Sequence, residues 1–240
     1  MVVTSRRVDQ LLSTLGYCSR KEARAACADG RVEVNGERWS DATARVDPRH
    51  VTFDGEPLEF PLGLVVLFHK PAGVVCTHDS REGQRVYDLL PPRWQVRDPK
   101  VTTVGRLDKD TSGLLVVTDQ GALVQRLTSP KHHVEKTYVA TLDADVPAAL
   151  VDAFARGVEL REGQAVERTE PAVLRVIGPR EAEVTVQEGR YHQVRRMFAA
   201  HGLHVLTLHR TRFGPWSLDA SLAEGKWRAL DVSEADAASR

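Results

Sequence analysis

Two apolar runs, residues 101–104 and 114–117, enclose a loop that carries Arg106, Asp108, Lys109 and Asp110 between Gly105 and Gly113. Both runs read as strands, so the charges between them are held at a strand junction rather than spread over a solvated face. Glycine at each end relaxes the backbone where it must turn tightly or lie close to another group. Read as a polar turn, the loop would use Asp108 and Asp110 only to accept backbone amide protons. Whether it does more depends on what the rest of the chain brings to it.

The chain has 240 residues, enough for a sizeable core and for one to two domains. Lys plus Arg balance Asp plus Glu at 33 each, so net charge argues neither for nor against nucleic acid, and only the placement of charge can speak. Arginine outnumbers lysine, which suits phosphate binding through a planar fork. Cys18, Cys27 and Cys76 are scattered, with no Cys-x-x-Cys pair, which points to a reducing compartment and away from a disulfide framework or zinc ribbon. The first residues lack an apolar leader core, and no run approaches the ~18 apolar residues of a membrane span. A cytoplasmic protein without membrane contact is expected.

Along the chain, Val8, Leu11, Leu12 and Leu15 recur at helical spacing and Gly16 closes that helix. Ser19 followed by Glu22 is a capping-box pattern that starts a second helix, with Ala23, Ala25, Ala26, Cys27 and Ala28 as a small-residue surface up to Gly30. Val32 and Val34 then alternate into Asn35-Gly36, a hairpin signal, and residues 51–53 run as a strand into Asp54-Gly55. Arg6, Arg7, Arg20, Lys21, Arg24 and Arg31 gather on or beside these helices, diluted by Asp9, Glu22 and Asp29. Such a patch suits phosphate backbones; mixed charges on a solvated helix face are its bland counterpart. Residues 57–63, with Pro57 and Pro61, read as a linker, which divides the chain into domains at 1–60 and 61–240.

Beyond the linker, residues 64–68 form a strand run, broken by Lys70-Pro71-Ala72-Gly73 before a second run at 74–76. Lys70 is equally suited to a phosphate contact or to a surface position with its stem buried. Residues 77–100, with Pro91-Pro92 and many charges, read as a mobile insertion over the site. Thr118 or Asp119 can cap a helix over residues 120–127. His132-His133 lacks a third ligand at supporting spacing, so a metal is not indicated. A helix over 147–157, strands over 172–177 and 182–186, and a helix past Gly189 with Val194, Met197 and Phe198 inward complete the pattern. From Arg190 to Arg212 there is not one acid, and so long a one-sign block argues for an anionic partner.

Several words in this order resemble the pseudouridine synthases. Gly105-Arg106-Leu107-Asp108 matches the family's central motif, His69-Lys70-Pro71-x-Gly73 its first, Lys136-x-Tyr138 its tyrosine motif, and Gly189-Arg190-x-His192-Gln193-Val194-Arg195 its third. Two helices followed by Arg31-Val32-x-Val34-Asn35-Gly36 resemble the S4 RNA-binding module over about residues 6–60. The runs around His132 and Tyr191 resemble the RsuA type, the small-subunit ribosomal RNA branch.

The resemblance implies an α+β fold, with a small S4-like α/β RNA-binding domain followed by a catalytic domain on a mixed, mainly antiparallel sheet. It implies that Asp108 is the nucleophile, that Arg195 pairs with it, keeps it charged and fixes its rotamer, and that Tyr138 stacks on the flipped base and helps the proton step. Arg106 would fill or brace the space the uridine leaves, and Asp110 would order the loop. Lys70, Lys136, Arg190, His192, Gln193 and Arg196 are expected at the RNA, together with Arg6, Arg7, Arg20, Lys21 and Arg24 of the first domain. No cofactor or metal is called for; a base-flipping zinc deaminase would need Pro-Cys-x-x-Cys, which is absent. The implied partner is small-subunit (16S) ribosomal RNA or an assembly intermediate, with a target of the uridine 516 class and the enzyme acting as a monomer. Two alternatives remain: the same chemistry on large-subunit (23S) ribosomal RNA, and a non-catalytic RNA-binding factor for ribosome assembly.

Overall fold

The computed structural model describes residues 5–162, 165–230 and 234. These form two compact units: residues up to 65 with 87–102 and 117–121, and residues 66–86, 103–116 and 122 onward. Apart from Glu234, the acid-leaning tail at 231–240 lies outside the described residues.

In the first unit, β1 (Arg6–Arg7) leads into α1 (Val8–Thr14), and α2 (Arg20–Ala28) follows. The capping box forms as the spacing predicts: the Glu22 N–H donates to Ser19 Oγ at 3.2 Å and the Ser19 N–H to Glu22 Oε2 at 2.8 Å. The helices bury Val8, Leu11, Leu12, Ala23, Ala26 and Cys27 against β2 (Val32–Val34). β3 (Glu37–Arg38) turns back from β2 through Asn35 and Gly36, both at positive φ, the two-residue hairpin turn expected there. β4 (Arg45–Val46) pairs with β1, and β5 (Val51–Phe53) turns into β6 (Glu56–Pro57) through Asp54-Gly55, giving a sheet in the order β3-β2-β5-β6.

Asp9 does not dilute the basic patch. It is fully buried at the start of α1, where Arg7 binds both its oxygens at 3.1 and 2.9 Å and Arg20 and Arg24 approach to 3.7 and 3.6 Å. Burial alone would raise its pKa, but Arg7, then Arg20 and the Gln10 N–H, hold the carboxyl below its ordinary value. Asp9 therefore gathers three guanidinium groups in one place.

Two other segments also differ from expectation. Residues 57–63 are pinned rather than linker-like: Arg93 and the Trp94 indole N–H donate to Glu59 Oε2 at 2.6 and 2.9 Å, and Arg97 donates to the carbonyls of Glu59 and Phe60. Residues 87–102, read as part of a mobile insertion, bury Trp94 completely and place Arg97 in an inward ion pair with Asp119. A charge sequestered this way needs its partners fixed, which the Leu64 N–H bond to the other Asp119 oxygen also serves.

The second unit is built on one large sheet. In chain order its members are β7 (Val65–Lys70), β8 (Thr102–Thr103), β9 (Thr111–Thr118), β10 (Lys136–Leu142), β13 (Val173–Gly178), β14 (Glu181–Val186), β15 (Val205–Phe213), β16 (Trp216–Ser217) and β17 (Trp227–Ala229). The order is β13-β14-β10-β15-β9-β7-β17, with β8 on β9 and β16 on β15. β15 and β9 run parallel while β10 is antiparallel to both β14 and β15, so the sheet is mixed and mainly antiparallel, as expected. β11 (Glu159–Glu162) and β12 (Ala165–Arg168) form a separate hairpin.

α3 (Gly121–Thr128), α4 (Ala149–Ala155) and α5 (Gln193–Ala199) complete this unit. Phe154 of α4 and Phe198 of α5 meet at 5.1 Å between ring centres, over Ala140, Leu174, Val184 and Leu208 of the sheet. Each such buried side chain contributes about 1.5–3 kcal/mol of transfer free energy, which ties α5 to β10 and β15. The second apolar run, 74–76, forms only a single bridge between Val75 and Arg85 instead of a strand. Thr118 accepts the Gln120 N–H just ahead of α3, while Asp119 is engaged with Arg97 and Leu64. Among the described residues, no helix is long and apolar enough to cross a membrane.

Candidate active site

The loop between β8 and β9 is held from behind by Lys70. At the end of β7 this side chain is fully buried, and its Nζ donates to the carbonyls of Pro71, Asp108, Lys109 and Thr111 at 3.0, 3.1, 3.3 and 2.8 Å. Gly73 adds its N–H to Lys109 O at 2.8 Å. The Lys-Pro-x-Gly word is thus a clamp on the loop, and Lys70 is neither a phosphate contact nor a surface lysine. Burial lowers its pKa, yet with four carbonyl oxygens around it the ammonium is the form this pocket fits. At the far end, Gly113 lies against β15 so closely that a Cβ would sit 2.3 Å from Arg210 O, which explains glycine there.

In front of the loop lies a cleft of about 540 Å³, lined among others by Arg106, Asp108, Lys136, Tyr138, His192 and Arg210. The Asp108 side chain is 38% exposed, and His192 Nε2 stands 3.5 Å from its Oδ1. Tyr138 projects from β10, which is paired on one side with β14 and on the other with β15. Arg190 and Gln193 also line the cleft, so the structure brings together seven of the residues the sequence singles out.

Other expected residues stand elsewhere. Arg195 does not pair with the Asp108 carboxylate: it donates to Val205 O at 2.9 Å and to Asp110 O at 3.3 Å. Its position in the first turn of α5 faces the start of β15, so it braces the loop through a backbone carbonyl. Arg196 lines a separate depression with Glu159, Leu160 and Arg161 and donates to the carbonyls of Tyr191 and Arg161. Arg6, Arg7, Arg20, Lys21 and Arg24 belong to the first unit.

The acid-free block from 190 to 212 finds its acids through the fold. Arg190 pairs with Glu188 at 2.8 Å and Glu167 at 2.6 Å. Glu188 also accepts from the Glu170 N–H at 2.9 Å and Gln193 Nε2 at 2.7 Å, making a bonded wall along one side of the cleft. Arg210 is 2% exposed, donates from Nε to Leu114 O at 2.7 Å, and lies 6.0 Å from the centre of the Tyr138 ring. Glu188 and Arg210 are the site residues that reading the sequence missed. Glu188 directly precedes the Gly-Arg word, and only strand pairing marks Arg210 as inward.

Lys136 donates to Val134 O at 2.7 Å and Gln187 O at 3.2 Å, which fixes its stem and leaves the third N–H for a ligand. Burial, then the nearby charge of Arg210, lower its pKa to about 8, against the opposing pull of Glu188 and Glu170. His133 pairs with Glu170 at 3.4 Å, and among the described residues no group of three His, Cys, Asp or Glu side chains could hold a metal ion.

The arrangement offers the part-exposed Asp108 carboxylate in a cleft that also holds Arg106, Lys136 and Arg210, an aromatic ring on a paired strand, and a lysine able to contact an anion. A family model described as RNA pseudouridylate synthase matches residues 64–200, and the S4 domain model matches residues 6–56. The chain is 42% identical over 232 residues to Ribosomal small subunit pseudouridine synthase A of Escherichia coli strain K12, covering 95% of this chain and 97% of the relative. It is 37% identical to the protein of the same name from Pasteurella multocida, over 95% of this chain and 97% of the relative. Among solved structures, a pseudouridylate synthase crystal structure superposes with a TM-score of 0.68 at 36% identity, over 97% of this chain and 99% of that one.

Proposed function

Since the chain belongs to the RNA pseudouridylate synthase family and carries an S4 domain, we propose that it isomerises one uridine of small-subunit ribosomal RNA to pseudouridine. The observation that carries this reading is Asp108, the family's aspartate, held on a clamped loop at a cleft that it shares with Tyr138, Lys136 and Arg210. In this proposal residues 1–60 act as an RNA-binding domain and residues 61–240 as a catalytic domain. The target is of the uridine 516 class, the enzyme works as a cytoplasmic monomer, and no cofactor takes part.

In the reaction the C1′–N1 bond breaks, the uracil turns, and a C1′–C5 bond forms. The hydrogen on C5 leaves as a proton, and N1, which carries none in uridine, takes one up, so no atom is gained or lost overall. Asp108 is the nucleophile that holds the intermediate while the base turns. Tyr138 stacks on the flipped base and takes part in the proton step, and Arg106 braces the RNA that the uridine has left. Arg195 acts through the loop, by holding the Asp110 carbonyl. In the first domain the arginines gathered by Asp9 take the phosphate backbone, so affinity should fall as salt rises.

The test is to delete the gene in its host and map pseudouridines across both ribosomal RNAs. Loss of one small-subunit site, restored by wild type and not by Asp108→Asn, is the expected result. A lost large-subunit site would keep the chemistry and replace the substrate, whereas no lost site would favour a binding factor.

Lys136 gives a pH prediction. Its ammonium is charged below about 8 and neutral above, so a phosphate or uracil oxygen loses this contact as pH rises. The kcat/KM of the free enzyme should therefore fall through about pH 8. In Lys136→Arg that limb should move to higher pH, and in Lys136→Met the profile should be low and lack it. An unchanged limb in Lys136→Met would assign it to another group.

A further inference from the structure

Tyr191 is the large aromatic side chain that the cleft leaves in solvent. It is 69% exposed, it lines the same cavity as Asp108 and Tyr138, and the proposed reaction has no use for it. Its ring lies on that of His192, with centroids 3.9 Å apart and planes 18° from parallel. His192 in turn stands edge-on to the cleft, with Nε2 3.5 Å from Asp108 Oδ1.

The stack is built rather than incidental. His192 adopts a left-handed backbone conformation with φ of 48°, which costs a residue with a side chain roughly 1 kcal/mol or more. The turn that imposes it is locked on both sides. Gln193 accepts the Arg190 N–H at 3.0 Å and donates to Glu188, and the Arg196 N–H donates to His192 O at 2.9 Å. Val194 and Met197 anchor the next turn in the core. One face of the Tyr191 ring is therefore occupied by His192, and an exposure of 69% leaves the opposite face to the surroundings.

An immobilised aromatic ring with one open face at the mouth of a nucleic-acid cleft matches the geometry that binds an unpaired base by stacking. The stacked rings also differ from Tyr138 in what they can reach. The His192 edge meets the nucleophile, so the space beside Asp108 belongs to the reacting uridine, and the open Tyr191 face is displaced from it along the stacking direction. We propose that Tyr191 is a second nucleobase platform, on which an unpaired base adjacent to the target uridine stacks, with His192 as its backing. This rests on the pseudouridine synthase reading above and adds a subsite that selects RNA whose target lies in an unpaired stretch. Duplex RNA has no free base face to offer it.

The experiment uses the full-length protein and a small-subunit RNA fragment that contains the mapped target. Turnover is read as tritium released from [5-³H]uridine. Wild type, Tyr191→Phe and Tyr191→Ala are compared on the intact fragment and on fragments with an abasic residue immediately 5′ or 3′ of the target. Thermal melting of each variant checks folding. On intact RNA, Tyr191→Ala should raise KM about tenfold with little change in kcat, and Tyr191→Phe should behave as wild type. On one of the two abasic fragments, wild type should lose the same factor and Tyr191→Ala should lose nothing more. If Tyr191→Ala stays about tenfold below wild type on both abasic fragments, as on intact RNA, the ring is a support for His192, and the platform is overturned. An unchanged KM in Tyr191→Ala overturns it as well. Failure of the underlying reading looks different: wild type itself would release no tritium.

Discussion

Asp108→Asn is expected to slow pseudouridine formation by at least ~10⁴-fold, the scale on which removal of a nucleophile acts, while RNA affinity stays close to that of wild type. Asparagine keeps the size of the side chain and can accept the contact from His192, and the Lys70 clamp on the loop uses the Asp108 carbonyl rather than the carboxylate. The fold therefore has no reason to change, and only the charged nucleophile is removed. Asp110 is the internal control. It lies two residues on, its side chain is not among those lining the cleft, and its carbonyl is what Arg195 holds. Asp110→Asn should keep measurable turnover. Single-turnover kinetics with equilibrium RNA binding separate the two effects, and equal loss in both variants would sink the assignment of Asp108.

Lys70→Met is expected to be nearly as damaging, by a different route. Methionine fills a similar volume but leaves the carbonyls of Pro71, Asp108, Lys109 and Thr111 without their shared donor in a dry place. Removing one member of such a buried charged network costs about 3–5 kcal/mol, or roughly a 10 °C drop in Tm for a chain of this size. The loop that aims Asp108 would also lose its backing. A displacement of about 1 Å is enough to cost ~10²-fold in rate, so turnover should fall even at temperatures where the variant is folded. Melting and kcat should be read together. Wild-type Tm and kcat with weakened RNA binding would restore the reading of Lys70 as a phosphate contact.

The pattern of what could be read from the sequence follows the range of the interactions. Ser19 and Glu22 close a capping box over three residues, and Asn35-Gly36 closes a hairpin over two, so the first unit's helices and turns were legible. Asp108 and Tyr138 stand in local motif words, and the fold brings both to one cleft. Side chains whose partners come from distant segments were misjudged. Lys70 reaches oxygens some 40 residues away, and its inward direction depends on where β7 ends against the loop. Asp9 looked like a surface acid because nothing local says that α1 turns it into the protein, under Arg7, Arg20 and Arg24. Arg195 lies on the expected helix but meets the Val205 and Asp110 carbonyls instead of the Asp108 carboxylate, because the register between α5 and β15 sets its partner. Arg210 belongs by sequence only to the acid-free block, and it is the pairing of β15 with β9 and β10 that sets it between Leu114 and Tyr138.

The measurement that bears most directly on the central claim is tritium release from small-subunit ribosomal RNA labelled as [5-³H]uridine, with purified protein and no added cofactor. Rejoining the base through C5 must expel the hydrogen there, so release counts the isomerisation itself and not binding. The account predicts a single equivalent released per RNA by wild type and none by Asp108→Asn, with both proteins binding the RNA. Binding by wild type without release, or undiminished release by Asp108→Asn, would contradict it.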